Sequence, residues 1–593
     1  MPARMKPADV VIVGMGWTGS IFAKELTDAG LKVVALERGR PRDTDPDFQP
    51  GIIHDELAFA VRHHLMQDVS RETITFRNSP REVALPMRQL GSFLPGEGVG
   101  GAGVHWNGQH WRFLATDFRI RSQVTERYGR QAIPDDMTIQ DWPVSYDELE
   151  MHYDKFEQVC CTSGKAGNIR GVIQAGGNPF EGPRSRDYPN PPMKASLAME
   201  MFGKTAGELG YHPFVQPSSN ASQPLTNAYN VAMGGCMYCG FCERFGCEVN
   251  AKASPQASVL PTLVNQPKFE LRTNAHVLKV NLDSSRSRAT GVTYVDAVGR
   301  EIEQPAEMVV LAAYGMNNVH LMLLSGIGEP YDPGTGRGVV GRNYAYQIMS
   351  SVNLFFEDKA FNPYMGAGGL GQVVDDFNGD NFDHAGLGFI AGGYIIAGQT
   401  EGRPIQNHPV PDGTPKWGSE WKKAVAHWYN RSMAIGTNGA VMSHRANYLD
   451  LDPTYKDVYG RPLLRLTFDY HDNDIKMSNH LTDVAEKIGR AMNPVHVSVQ
   501  RAGHPYSIVP YQTTHNTGGA IMGEDPRTSA VNRYLQAWDV HNVFVLGASA
   551  FPQNAGYNPT GTVGALTYWS VEAIKRAYLN NPGPMVGLVA EKP

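Results

Sequence analysis

What this chain of 593 residues has little of narrows its function first. Six cysteines cannot make a disulfide scaffold at this length. No apolar run approaches the roughly 18 residues of a membrane span; the longest, near Met308 to Ala313, suits a buried strand. Neither sign of charge dominates: 53 Lys and Arg stand against 59 Asp and Glu, a net −6, so no polybasic surface for nucleic acid is expected. A charged fraction of 19% beside an apolar fraction of 41% excludes a disordered chain and a coiled coil. There is no internal repeat and no low-complexity tract. No cysteine begins a C-x-x-C-H, which excludes covalent c-type haem. The one early apolar run, Val10–Val13, leads into a Gly-rich turn and not a small-residue cleavage site, so no secretion signal is expected and the residues alone imply a cytoplasmic protein. The length calls for two to four structural units.

Glycine (63) and proline (40) are abundant, which implies many tight turns and close backbone approaches. Residues 9 to 39 read as one βαβ unit: a strand at Val10–Val13, then Gly14-x-Gly16-x-x-Gly19, a helix through Phe22–Asp28, and a strand at Lys32–Leu36 ending in Glu37. In this dinucleotide-binding pattern Gly14 makes the tight turn, Gly16 lets the backbone reach a pyrophosphate, and Gly19 lets the helix pack on the strand. The helix N-terminus offers free N–H groups to phosphates. Glu37 can accept hydrogen bonds from ribose hydroxyls, which FAD and NAD share, so the motif does not choose between them. Gly100, Gly101 and Asn107 sit in GEGVGGAGVHWNGQHWRF, a segment suited to close approach to a flat ring, with His105 and His110 five apart. His110 reads as structural, and Cys160 and Cys161, at the end of a helical pattern from Trp142, read as packed thiols. Residues 164 to 224 read as long ordered loops. Strand patterns return at FELRT, HVLKVNL, ATGVTYVD and MVVLAA, and again at HNVFVLGAS, so the nucleotide-binding domain is discontinuous. Residues 346 to 500 form a different zone with a helix from about Asn473 to Met492.

Cys236, Cys239, Cys242 and Cys247 are spaced C-x2-C-x2-C-x4-C. The first three spacings equal those of bacterial ferredoxins, which favours an iron–sulfur cluster of three or four irons. Structural zinc, disulfides and free thiols remain alternatives. Near the C-terminus His515 precedes a Gly-rich turn and can take a proton from an alcohol, while Asn558 can hydrogen-bond the same oxygen. Asn558 and Pro559 are expected to begin a helix, with Asn558 in the capping position and Pro559 in the first turn.

Taken in order, the βαβ start, GVGGAGVHWN, NNVHLMLLSGIG, GVVGRN, and HNTGGAIMG with GASAFP and NPTGT resemble the glucose–methanol–choline (GMC) family of flavoprotein oxidoreductases over nearly the whole chain. The cysteine segment CMYCGFCERFGCEVNAKAS is similar to that branch of the family formed by the flavoprotein subunits of membrane-bound gluconate 2-dehydrogenases. The resemblance implies an α/β fold, α+β overall. It implies a discontinuous Rossmann-like FAD-binding domain (1–125, 232–345 and 505–593, carrying the cysteine loop 236–247) and an inserted sheet-and-helix substrate domain (126–231 and 346–504). It implies FAD bound through Gly14, Gly16, Gly19, Glu37, Gly100, Gly101, His105, Asn107, Gly547 and Thr560. His105 stands where some members bond the flavin covalently, His515 is the expected base, Asn558 its partner, and flavin N5 the hydride acceptor. The expected reaction is oxidation of a secondary alcohol of a sugar or sugar acid, with D-gluconate to 2-keto-gluconate first. Dehydrogenases of fructose, sorbitol, glucose or glucosides, and an oxygen-using sugar oxidase, are the alternatives. Electrons are expected to pass through the iron–sulfur cluster to a multi-haem cytochrome c subunit. A small signal-bearing subunit would carry the chain to the periplasmic side of the inner membrane, with membrane attachment only through a partner. Two departures stand out: many members have an Asp-His pair where this chain reads NYAYQ, ending at Gln347, and many read Val-x-Asp-x-Ser where it has Leu546-Gly547-Ala548-Ser549.

Overall fold

The computed structural model describes residues 3–49, 54–89, 93–398 and 402–586. Its first sheet has eight strands and is assembled from three distant parts of the chain. Phe269–Arg272, Val33–Leu36, Ala8–Val13 and the C-terminal half of Glu301–Leu311 run parallel in that order. Val543–Val545 joins the other side of Glu301–Leu311, also parallel, with Val545 beside Leu311. The N-terminal half of that long strand forms an antiparallel meander with Ala289–Val295 and His276–Leu282. β-Branched residues dominate the parallel strands and are buried on both faces, as expected where helices cover the sheet. Val13, Leu36, Leu311 and Val545 end together on one edge of the sheet. In open α/β sheets the crevice beyond that edge is where ligands bind.

The first helix spans Trp17–Asp28, starting before the expected Phe22. Gly19 makes this possible: a Cβ there would lie 2.0 Å from the Gly14 carbonyl oxygen, so only glycine lets the helix start this close to the strand. A second helix, Tyr146–Cys160, begins at Ser145, whose side chain and that of Glu148 cap it reciprocally. The stretch expected to be loops contains a helix, Leu197–Glu208. Gly203 and Gly207 disguise it in the sequence, but Ala198, Met199, Phe202 and Ala206 recur at helical spacing and are buried.

The second sheet is antiparallel and six-stranded, in the order His496–Gln500, Gln347–Phe355, Ser432–Ala440, Gly393–Ala397, Gln372–Val374, Phe214–Val215. The helix Asp472–Ala491 packs on it through Met477, Leu481, Val484, Ala485 and Ile488, one stripe at helical spacing. A smaller sheet pairs Pro462–Thr467 with Tyr448–Lys456 and with Thr75–Arg77. Among the described residues no helix is long and apolar enough to cross a membrane.

Candidate functional site

A cavity of about 440 Å³ opens at the carboxyl edge of the parallel strands and reaches the second sheet at Tyr394 and Asn438. Of the residues expected to bind a cofactor or substrate, Gly14, Gly16, Glu37, Gly101, His105, Asn107, His515, Gly547, Asn558 and Thr560 are on its wall. Gly19 and Gly100 are not. Gly19 lies beneath, at the strand–helix contact, and a Cβ on Gly100 would meet the Gln256 side chain at 2.4 Å.

The glycines separate by what needs them. Gly14 has φ +97°, and a Cβ there would lie 2.5 Å from the Ala312 carbonyl oxygen, so the fold itself requires it. A Cβ on Gly16 would meet nothing closer than 3.9 Å, so the space in front of Gly16 is not filled by protein. Glu37 closes the unit: its carboxylate accepts from Met15 N–H at 3.0 Å and Gly39 N–H at 2.9 Å, which leaves lone pairs for a further donor. Two more polar atoms on this wall, Trp17 Nε1 and His105 Nε2, are buried without a hydrogen-bond partner. Burial, with Lys252 nearby, pushes the His105 imidazole down to about 3.

His515 is held from behind. Its Nδ1 lies 2.5 Å from Gln347 Oε1 and also contacts Thr513 Oγ1. Gln347 is fully buried, and its Nε2 donates to the Ala555 and Tyr557 carbonyls, each at 2.7 Å. Both amide protons are used, so Oε1 must face His515 and accept. The Nδ1 proton is thereby fixed, and Nε2 keeps its lone pair. Burial pushes this imidazole down to about 3, so it is neutral at physiological pH. Asn558 Oδ1 lies 2.9 Å from the Tyr394 hydroxyl, which leaves its Nδ2 protons as donors. Asn558 is not the helix cap expected from sequence. The helix is Thr560–Ala573 with Pro559 in the N-cap position, because the Asn558 side chain is engaged with Tyr394. His110 is buried with Nδ1 2.6 Å from Ser219 Oγ, a structural role as expected, and Cys160 and Cys161 are buried free thiols.

The cysteine loop is bonded directly to the cavity wall. Arg244 N–H donates to the His105 carbonyl at 2.7 Å, and the indole of Trp106 donates to the Ala253 carbonyl at 2.7 Å. Lys252 is fully buried, and its ammonium donates to the carbonyls of Trp106, Cys242 and Phe245 at 2.6–2.8 Å. None of the four cysteines is in a disulfide. Cys236 Sγ accepts from Tyr238 N–H, Cys247 Sγ from Lys252 N–H, and Cys242 Sγ from Asn220 Nδ2, each at 3.4 Å. Burial, aided by Cys247 and Cys239, pushes the Cys236 thiol up to about 12. Among the described residues the only His, Cys, Asp or Glu group with ligand atoms mutually within 4.8 Å is Asp136, His444 and His471, not a set of these thiols. Tetrahedral zinc, with bonds of about 2.3 Å, needs sulfurs about 3.8 Å apart. No three of these four thiols lie within even 4.8 Å of one another.

Sequence models of the GMC oxidoreductase family match residues 214–349 and 443–567. The gluconate 2-dehydrogenase flavoprotein of Pantoea cypripedii is 53% identical over 98% of this chain and 96% of its own length. The chain belongs to the GMC oxidoreductases. Fructose dehydrogenase large subunit from Gluconobacter japonicus is 26% identical over 96% of this chain and 97% of its own. Pyridoxine 4-oxidase from Mesorbium loti shares the fold, with a TM-score of 0.53 at 16% identity, covering 95% of this chain and 98% of that one. Membership makes the protein an FAD-dependent oxidoreductase acting on CH–OH donors, with the mixed α/β architecture described above. The cavity of this GMC oxidoreductase fits FAD on its own terms: open space at Gly16, free lone pairs on Glu37, and unpartnered nitrogens at Trp17 and His105.

Gln347, Tyr394 and Lys252 were not expected as functional residues. Gln347 and Tyr394 stand on strands of the second sheet and Lys252 at the end of the cysteine segment, and the only sequence signal was Gln347 standing where many GMC members carry Asp-His.

Proposed function

We propose that the protein oxidises a secondary alcohol of a sugar acid, D-gluconate to 2-keto-gluconate, as the flavoprotein subunit of a membrane-associated dehydrogenase. The observation that carries this reading is His515 and Asn558 on one cavity wall with their back faces already bonded. His515 Nε2 accepts the proton of the substrate hydroxyl, and Gln347 and Thr513 hold the ring so that Nε2 is the free nitrogen. The Asn558 amide donates to the same oxygen and steadies the charge that grows on it as the proton leaves. Bound FAD supplies the hydride acceptor. Gly14, Gly16, Glu37, Gly101, Asn107, Gly547 and Thr560 hold it, and His105 is the site of a covalent bond to it. Protein denatured in acid should then keep its flavin fluorescence.

Cys236, Cys239, Cys242 and Cys247 hold an iron–sulfur cluster, which supplies a one-electron carrier, and the acceptor is a cytochrome c subunit. The N–H donors aimed at three of the four sulfurs and the buried Lys252 ammonium support this, since both favour thiolates and an anionic cluster. A small signal-bearing subunit takes the chain to the periplasmic side of the inner membrane. Relatives named as a flavoprotein and as a large subunit support an assembly of this kind. The test is anaerobic flavin bleaching by a panel of sugars and sugar acids. D-Gluconate should bleach fastest; bleaching by neutral sugars or polyols alone would move the assignment to another sugar dehydrogenase, and fast reoxidation by oxygen would make it an oxidase.

A further inference from the structure

Beside the cofactor cavity lies a second cleft of about 1030 Å³ that the reaction just described does not use. Seven arginines line it against two carboxylates, Asp68 and Glu97. Four of the seven have a carboxylate within 4.0 Å, among them Arg38 with Glu72, Arg40 with Asp47 at 3.5 Å, and Arg71 with Asp68 at 3.9 Å. Arg244 meets Glu243 at 3.6 Å. Arg42, Arg62 and Arg88 have no carboxylate within 4.0 Å among the described residues.

Two of these side chains are built in, not lying on the surface. Arg42 is 8% exposed; its Nε donates to the Glu97 carbonyl at 3.0 Å and its Nη2 to the His64 carbonyl at 3.3 Å, and its Nη1 has no partner. Arg244 is 7% exposed; its Nη1 donates to the Ala60 carbonyl at 3.1 Å, its guanidinium lies 4.6 Å from the centre of the Tyr511 ring, and its Nε makes no hydrogen bond. Burial and the neighbouring Arg40 push Arg42 down to about 10, so it remains charged at neutral pH. A buried, charged guanidinium with a free N–H is costly unless something anionic answers it. His63, also on this wall, has an unpartnered Nδ1.

The position gives the cleft its use. It shares Arg38 and Tyr511 with the cofactor cavity, and Tyr511 begins the run Tyr511–His515 that lines that cavity as far as the imidazole. We propose that this arginine cleft is an anion-binding entrance, which takes the carboxylate of a small organic acid and passes the molecule on to His515. The identity of the acid rests on the sugar-acid reading above; the anion site rests on the arginines. Guanidinium suits the task because its planar N–H pairs match a carboxylate, and a cationic cleft with low-dielectric walls raises the encounter rate of anions.

Calorimetry on the FAD-loaded protein with inorganic sulfate, and stopped-flow flavin bleaching by D-gluconate over a series of salt concentrations, test this. One sulfate per chain should bind, about tenfold more weakly in Arg42→Gln, and bleaching should slow as salt rises. Arg62→Gln with Arg88→Gln alters only exposed side chains and should fold normally; its second-order bleaching rate should fall about fivefold and lose most of its salt dependence. Sulfate that fails to bind, or that binds Arg42→Gln and the double variant as tightly as the parent, overturns the inference, even where D-gluconate bleaches the flavin normally. Sulfate bound through the arginines while no sugar acid bleaches the flavin keeps the anion site and removes the sugar-acid reading.

Discussion

At His515 the protein fixes a tautomer with an amide and not a carboxylate. A carboxylate behind an imidazole would raise its basicity and invite protonation; the Gln347 amide orients the ring without adding charge, and burial keeps it neutral. The depressed pKa means the base form persists as pH falls, so the acid limb of the flavin-reduction rate should lie well below the ordinary histidine value of 6.5. A limb at 6.5 or above, measured by anaerobic stopped flow, would contradict the burial argument. His515→Ala should slow flavin reduction by roughly 10²–10⁴-fold, the usual range for a general base. Gln347→Leu should also slow it, by about tenfold or more, with flavin still bound, because Nδ1 loses its acceptor and the ring is free to present Nδ1 or Nε2. Gln347→Glu should instead raise the acid limb, a response that loss of packing alone would not give. The sequence showed His515 and Asn558 because each lies in a short motif. It could not show Gln347 behind His515 or Tyr394 beside Asn558, since each contact joins a loop near the C-terminus to a strand of the second sheet more than 150 residues earlier in the chain.

At the scale of elements, the first βαβ unit was legible because its spacing is local: Gly19 is demanded by the Gly14 carbonyl five residues before it, although Gly14 itself is demanded by Ala312, far along the chain. Gly14→Ala combines φ +97° with a Cβ 2.5 Å from the Ala312 carbonyl oxygen. It should cost a few kcal/mol by strain and overpacking, read as a lower melting temperature with weakened flavin retention. The cysteine loop was legible only as a spacing. Its attachment was not, because Lys252 ties it to Trp106 and Phe245 through carbonyls that any sequence possesses. Cys239→Ser should keep FAD and single-turnover bleaching, since no cysteine is on the cavity wall, while reduction of a cytochrome partner collapses. A variant that lacks iron yet reduces the cytochrome at the parent rate would make the cysteines structural. The helix Leu197–Glu208 escaped notice for the opposite reason: its two glycines mimic loop composition, and burial against the second sheet overrides their weak helix propensity.

At the scale of the whole molecule, Glu301–Leu311 is the strand on which the chain converges. Ala8–Val13 pairs with one side of it and Val543–Val545 with the other, so the beginning and end of the sequence meet across a single strand. Discontinuity of this kind was readable from the return of strand patterns after long interruptions, but the register that aligns Val13, Leu311 and Val545 was not. The same arrangement sets a timetable for biosynthesis. Gly14 and Gly16 emerge from the ribosome early, yet they face a cavity whose wall is unfinished until Gly547, Asn558 and Thr560 have followed, within the last fifty residues of the chain. Flavin loading is therefore a late event, and a chain stopped after residue 540 should be made without cofactor, a point that absorbance at flavin wavelengths would settle on a truncated chain. Any machinery that moves this protein with its flavin in place must accept it already folded.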